Sequence, residues 1–491
     1  MTRERTMQQP ANKKALVAID LGAQSCRVSL LRRDRGVPDI RIAYRFPNGP
    51  IAEKQSLRWD IRRIFAGVVE GLRVCAASAP EGIASVAIDG WGVDCARLDA
   101  AGQLVGNPFC YRDERNISAM NEVYARISAD RLYELTGIQH LPFNTIFQLH
   151  ADARAGIDPQ ARWLNLPEYV THLLGGEPVA EFTNATHTQM VALETRDWCE
   201  EIFAAAQLCP RAAPKIVSTG TIVGKIWHEL NRLPELNDTT LIVPACHDTA
   251  SAIAAIPASG DDWAFISSGT WSLIGVVLDV PNISADAKRM NFTNLGGAGG
   301  TICFLKNVNG MWLLQQCMED WARAGQVWTV EELIRSCERL PAPQMLFDVD
   351  DPALVLPGDM HSKINKQMEA AGFPGFAMNE RDIPRMANGI FHNLAKRYAN
   401  VLAAVSRITG KQLKRLFVVG GGSKNAYLNR LTAEKSGLEV IAGPSECTTI
   451  GNFAIQLAAT ESGGANSSGV TAERVTHYAE MLAAQMVNSE M

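Results

Sequence analysis

The chain has 491 residues, more than one ordinary hydrophobic core accommodates, so two domains or one duplicated architecture is expected. Its 47 basic and 52 acidic side chains leave a net charge of −5, which gives no electrostatic ground for a nucleic-acid or anionic-membrane partner. Apolar residues make up 47% of the chain, ordinary for a globular protein, and no uninterrupted apolar run is long enough to span a bilayer.

The opening stretch MTRERTMQQPANKK (1–14) is polar and basic and reads as a loose tail rather than a secretory signal. The segment ALVAIDLGAQSCRVSLLRRD follows as strand, glycine turn and strand. Helical spacing of apolar residues predicts a helix over 60–79. ASVAIDGWGVDCARLDAAGQLV is a further strand, turn and strand, and loosely alternating strands and helices run to about residue 245. DDWAFISSGTWSLIGVVLD (261–279) then restarts the opening pattern. Laying Gly22 over Gly269 sets Asp20 opposite Ser267, so an internal duplication would carry a carboxylate in its first copy alone. A helix is expected over 380–409, then a buried strand, the loop GGGS and another helix, and then one more strand–helix pair. ESGGANSSG has the composition of a flexible linker, and a short amphipathic helix closes the chain. The alternation predicts an α/β fold with a break near 245–260. Eleven cysteines without a C-x-x-C pair fit neither a zinc site nor a disulfide framework, and suit a reducing cytoplasm.

Three glycine turns, GAQS (22–25), SSGT (267–270) and GGGS (420–423), each follow an apolar strand. Glycine lets backbone N–H groups converge on an anion, so these turns are candidate phosphate cradles, although most such turns are only turns. None fits the P-loop or the dinucleotide fingerprint. Asp20, at a strand end beside such a turn, offers the hard oxygen that a nucleotide-bound magnesium takes; bonding to its own turn is the bland alternative. Asp248 in PACHDTASAIA is either a helix N-cap or a proton acceptor, and spacing does not choose. DGWGVD (89–94) offers two carboxylates and a tryptophan suited to a polyol, or else a hairpin with a buried Trp91. Trp312 and Gln315 share a helix face. YRDERN (111–116) reads as a solvated charge cluster, and His187 and His228 as structural histidines.

Together these segments resemble the FGGY carbohydrate kinases. The carrying stretches are DLGAQSCR, DGWGVD, GNPFCYRDERN, GIQHLPFNTIFQL, FTNATHTQM, CHDTASA, SSGTWSLIG, NFTNLGGAGG, LKNVNGMWLLQ, VVGGGSKNAYLNRLTAEKSG and GPSECTTIGN, in family order from about residue 15 to 460. The resemblance implies two ribonuclease-H-like domains of the actin and hexokinase type, with an active site in the cleft between them. The corresponding divisions are 15–250, 251–460 and a C-terminal segment 461–491. It implies transfer of phosphate from MgATP to a ketose, L-rhamnulose at its 1-hydroxyl, and leaves homo-oligomerisation open. Carried over by position, Asp248 matches the proton acceptor. Gly92, His247, Thr249 and Asn307 match substrate-binding positions. Ala23, Gln24, Ser25, Cys26, Arg27, Thr270, Gln315 and Gly421 match ATP-binding positions, and Asp20 is the expected metal ligand. Two departures stand out. Cys26 replaces a glycine of the first phosphate turn, which should stiffen it. Gly90 replaces a threonine, which should remove a hydroxyl near the sugar. Another ketose such as L-fuculose, or a sugar-binding regulator without turnover, are the alternative readings.

Overall fold

The computed structural model describes residues 14–34, 37–344, 346–444, 446–461 and 469–489. The N-terminal tail 1–13 and most of the glycine-rich linker, 462–468, lie outside the described residues.

Two six-stranded sheets carry the molecule. The first contains β1 (Ala15–Leu21), β2 (Ser25–Asp34), β3 (Val37–Pro47), β4 (Ile83–Gly90), β5 (Thr221–Lys225) and β6 (Thr240–Val243), in the order β5-β6-β4-β1-β2-β3. The second contains β7 (Trp263–Ser268), β8 (Trp271–Leu278), β9 (Thr293–Gly296), β10 (Ile302–Asn309), β11 (Arg415–Val419) and β12 (Glu439–Ala442), in the order β9-β10-β8-β7-β11-β12. Both sheets share one pattern. β1 pairs antiparallel with β2 and parallel with β4, and β7 pairs antiparallel with β8 and parallel with β11. The expected duplication is therefore visible as topology. Asp20 pairs with Arg27 and Asp89 across its neighbours, while Ser267 pairs with Leu273 and Val419.

β1 is buried along its whole length because helices cover both faces of the sheet. The helix α1 (Ile61–Ser78) packs outside the first sheet, and its N-cap Asp60 accepts a bond from the Arg63 amide. Two further helices fill the space between the sheets. They are α2 (Asp248–Ala254) and α3 (Cys447–Thr460), and they join Leu16 and Ala18 of the first sheet to Phe265 of the second in one apolar cluster. The helices touch at Gly451, where a Cβ would lie 1.8 Å from the Ser251 carbonyl oxygen, so only glycine allows the crossing. The closing helix α4 (Ala472–Ser489) has eighteen residues and is not short, and it buries Val475, Ala479 and Leu482 in the same cluster.

Candidate active site

A cavity of about 350 Å³ opens between the two sheets, at the ends of β1, β4, β6 and β7. Its floor is acidic. β6 runs into α2, whose N-cap is His247, so Asp248 is the first helical residue rather than the cap. Its carboxylate accepts from the Thr249 hydroxyl at 3.2 Å, lies 3.6 Å from His247 Nε2, and is 33% exposed to the cleft. Burial pushes this carboxyl up to about 6, against hydrogen bonds from Thr249 and the charge of Arg27. Asp20, at the end of β1, takes a bond from Arg27 Nη1 at 2.6 Å. Burial raises Asp20 to about 6 as well, opposed by Arg27 and reinforced by Asp248 and Glu446. Asp89 lies behind, wholly buried, with one oxygen accepting from Asn452 at 2.5 Å and the other without a partner. Its carboxyl is held well above the usual range by burial and then by Asp20.

The glycine turns form the next layer. Gly22, Ala23, Gln24 and Ser25 line the cavity, as do Ser267 to Trp271, Gly420 and Gly421. Gly22 is required by close approach, since a Cβ there would lie 2.4 Å from the Ser25 carbonyl oxygen. In the GGGS loop Gly420 holds φ 82° over the Ser268 carbonyl, and a Cβ on Gly422 would meet Ser268 Oγ at 2.0 Å. The lining also carries an aromatic wall of Trp91, Tyr111, Phe143 and Trp271, with Phe143 joining Tyr111 at 5.6 Å to Trp271 at 5.7 Å.

The DGWGVD turn is more than a hairpin. Val93 holds φ 70°, costly for a β-branched residue, and its carbonyl is pinned by Thr145 Oγ1 at 2.7 Å and Gln148 Nε2 at 3.2 Å. Asp94 turns away from the cleft and accepts from Trp59 at 2.6 Å, Trp91 at 3.0 Å and Gln148 at 2.9 Å. Gly92 is pressed by His187, whose Nδ1 would lie 2.2 Å from a Cβ there.

Comparison with known proteins gives this cleft its family. Residues 15–255 match the model of the N-terminal domain of the FGGY family of carbohydrate kinases, and residues 264–460 that of its C-terminal domain. The chain belongs to the FGGY family of carbohydrate kinases. As an FGGY kinase it is a phosphotransferase with ATP as donor and a sugar as acceptor. It is 37% identical over 457 residues to a rhamnulokinase of Enterococcus faecalis, covering 91% of this chain and 90% of that protein. It is 36% identical to a rhamnulokinase of Bacteroides thetaiotaomicron, with 90% of each chain covered. In fold it is similar to a xylulose kinase from Lactobacillus acidophilus, with a TM-score of 0.74 at 17% identity over 97% of this chain and 98% of that one. It is also similar to a glycerol kinase from Plasmodium falciparum with ADP, with a TM-score of 0.70 at 14% identity over 95% and 92%.

Of the expected site residues of this FGGY kinase, the cleft lining gathers Asp20, Ala23, Gln24, Ser25, Arg27, Gly92, His247, Asp248, Thr249, Thr270, Asn307 and Gly421. Asn307 also bonds Gln139 Oε1 through its amide at 3.0 Å and its side chain at 3.1 Å, tying the two halves together. Two residues fall outside the lining. Cys26 sits on β2, where alternate side chains face opposite sides. Ser25 and Arg27 face the cleft, and Cys26 is fully buried in the core with its thiol pushed up to about 12 by burial. Its backbone there is extended, and its thiol reaches back to the Gly22 carbonyl of the turn at 3.8 Å. Gln315 shares a face with Trp312 on the helix Trp312–Arg323, and its Oε1 is buried without a partner, off the cleft lining. Gly90 does not widen the sugar pocket either. A Cβ there would point at Leu21 and Pro167, at 2.8 to 3.2 Å, away from the cavity.

The charge cluster 111–116 is not a solvated loop. Arg115 bonds the buried Asp152 at 2.6 Å, and Arg112 stacks 4.0 Å over Trp312 of the other half and donates to the Val355 carbonyl at 3.2 Å. Nor is His187 a satisfied structural residue, because its Nδ1 is buried without a partner and its ring lines the cavity; His228 Nδ1 is likewise unpartnered. His187, Tyr111 and Phe143 are among the lining residues that local pattern left out. All three lie in the quoted family segments, but nothing in their own neighbourhood marks them as facing a ligand.

Proposed function

We propose that this kinase transfers the γ-phosphoryl group of ATP to the 1-hydroxyl of L-rhamnulose, giving L-rhamnulose 1-phosphate and ADP in rhamnose metabolism. The observation that carries this reading is Asp248: a carboxylate of raised proton affinity, open to a cleft lined by hydroxyls, an aromatic wall and three glycine turns. The two rhamnulokinases similar over nine-tenths of their length supply the sugar. Eleven free cysteines, nine of them buried, suit work in the reducing cytoplasm.

Asp248 accepts the C1 hydroxyl hydrogen and aims the oxygen at the γ-phosphorus. As the O1–P bond forms and the bond to the β-phosphate oxygen breaks, the hydroxyl proton passes to the carboxylate and ADP leaves with the bonding pair. General-base help of this kind contributes about 10²–10⁴-fold. The turns at Gly22, Gly269 and Gly421 would cradle the phosphates with backbone N–H groups. Magnesium fits the donor set. Asp20 and Asp248 bring two carboxylates to the cleft, and Asp89 behind them keeps a buried oxygen without a partner. No cluster of three metal-binding side chains occurs among the described residues, so Asp20 would hold the ion together with phosphate oxygens and water. When bound, it would supply charge neutralisation on the triphosphate.

The test is ADP release with MgATP across L-rhamnulose, L-fuculose, L-xylulose, L-ribulose and glycerol, with the product's phosphate position read by NMR. Preference for L-rhamnulose with phosphate on C1 supports the reading. A different preferred ketose overturns the substrate assignment, and sugar binding without turnover points to a regulator instead.

A further inference from the structure

His187 has no part in the transfer just described, yet the fold goes to some length to place it. It ends the helix Phe182–His187, whose N-cap Glu181 is fully buried. The Glu181 carboxylate accepts from the Thr183 amide at 3.0 Å and the Cys246 amide at 2.9 Å. The Thr183 hydroxyl in turn accepts from the His247 amide at 3.1 Å. The helix is thereby fastened to the strand end that carries Asp248, and its last residue forms part of the cleft wall. The His187 ring lies 4.5 Å from that of His247, centroid to centroid.

The ring's Nδ1 edge presses on Gly92, with Nδ1 nearest to any Cβ there at 2.2 Å, so Nε2 is on the far side of the ring. Nδ1 is buried without a hydrogen-bond partner. With Nδ1 sealed against Gly92, Nε2 is the ring nitrogen left to meet a group in the cavity that the ring lines. Burial and then the neighbouring His247 hold the imidazole neutral, leaving one N–H donor and one bare nitrogen acceptor. Whichever tautomer Nε2 takes, a ligand hydroxyl complements it, since a hydroxyl both donates and accepts.

We infer that His187 is a specificity-determining residue that hydrogen-bonds, through Nε2, a hydroxyl of the ketose other than the reacting one. The inference rests on the proposed seating of C1 against Asp248. A site that bonds a substrate hydroxyl rejects analogues lacking it, because its own polar groups are then left unpaired.

Steady-state kinetics on His187→Ala and His187→Gln test this, beside wild type and Asp248→Asn. The expected result is a ketose KM raised roughly tenfold in His187→Ala, the size of one neutral hydrogen bond, with the KM for ATP within about twofold of wild type. His187→Gln, whose amide can reach where Nε2 stood, should recover part of that loss. Ketoses lacking one hydroxyl sharpen the result. A single deoxy position should raise KM for wild type by the same factor and cost His187→Ala nothing more. An unchanged ketose KM, equal rises for ketose and ATP, or no deoxy position that behaves this way would overturn it. If His187→Ala does not fold, His187→Gln and the deoxy series on wild type decide the matter. Turnover surviving in Asp248→Asn would instead overturn the seating of the ketose, which separates the two failures.

Discussion

The two opening hairpins share a topology and differ in chemistry. β1 and β2 set Asp20 opposite Arg27, with Asp89 on the parallel neighbour; β7 and β8 set Ser267 opposite Leu273, with Val419 in the matching place. One copy is charged and the other neutral, though both end in a glycine turn on the same cleft. The same backbone can cradle a phosphate twice, because N–H groups do that work and side chains need only stay out of the way. Cation holding and proton handling need side chains, and they gather on the first copy and on α2 beside it. On the proposed mechanism the difference is a division of labour: the neutral turn would bind phosphate, and the charged turn would also set the local field.

The largest effect should come from removing that field. Asp20→Asn is expected to lower kcat about 10²-fold, while Ser267→Ala, at the equivalent place, should change it by less than about threefold. Equal losses, measured under saturating MgATP, would erase the distinction. Next comes the sugar wall of the charged half. Gly92→Ala should raise the ketose KM roughly tenfold by displacing His187, and the effect should vanish in a His187→Ala background. A persisting effect would mean that Gly92 acts through its own backbone.

The charged copy should also dictate the pH response. Asp20 and Asp248 titrate near 6, and both must be ionised for the reaction, so kcat/KM should rise with pH and level off above about 6. Stability should move the other way. Both carboxyls bind protons more tightly folded than unfolded, so their contribution is complete below the ordinary carboxylate pKa and is lost as pH rises through 6. Thermal melts of the ligand-free wild type and of Asp248→Asn between pH 4 and 7 read this: the wild type should lose melting temperature relative to the variant as pH rises, and a relative gain would contradict it. The smallest effect is expected at Cys26→Gly. A glycine there should leave the KM for ATP within about twofold, at a stability cost of about 1–2 kcal/mol from a strand glycine and a lost core contact.

Much of this was legible in the chain because it is local. Strand–turn–strand patterns, the acidic strand end at Asp20 and the Cys-His-Asp-Thr run at 246–249 are written in adjacent residues, and each stands where its neighbours put it. What failed was reading across distance or across a pleat. Cys26 reads as part of a phosphate turn until β2 is known to start at Ser25, which turns every second side chain into the core. Gly90 reads as a missing hydroxyl until Leu21 and Pro167 are seen in the way. His187 meets Gly92 only after ninety-odd residues of chain fold back on themselves, and Arg112 meets Trp312 only across the two halves. No periodicity carries such contacts.

The central claim is that Asp248 takes the proton from the ketose. Single-turnover phosphoryl transfer in Asp248→Asn, with L-rhamnulose binding measured on the same sample, tests it most directly. The account predicts a ketose Kd within about threefold of wild type and a transfer rate about 10²–10⁴-fold lower. A transfer rate within about tenfold of wild type, with the ketose still bound, would contradict it.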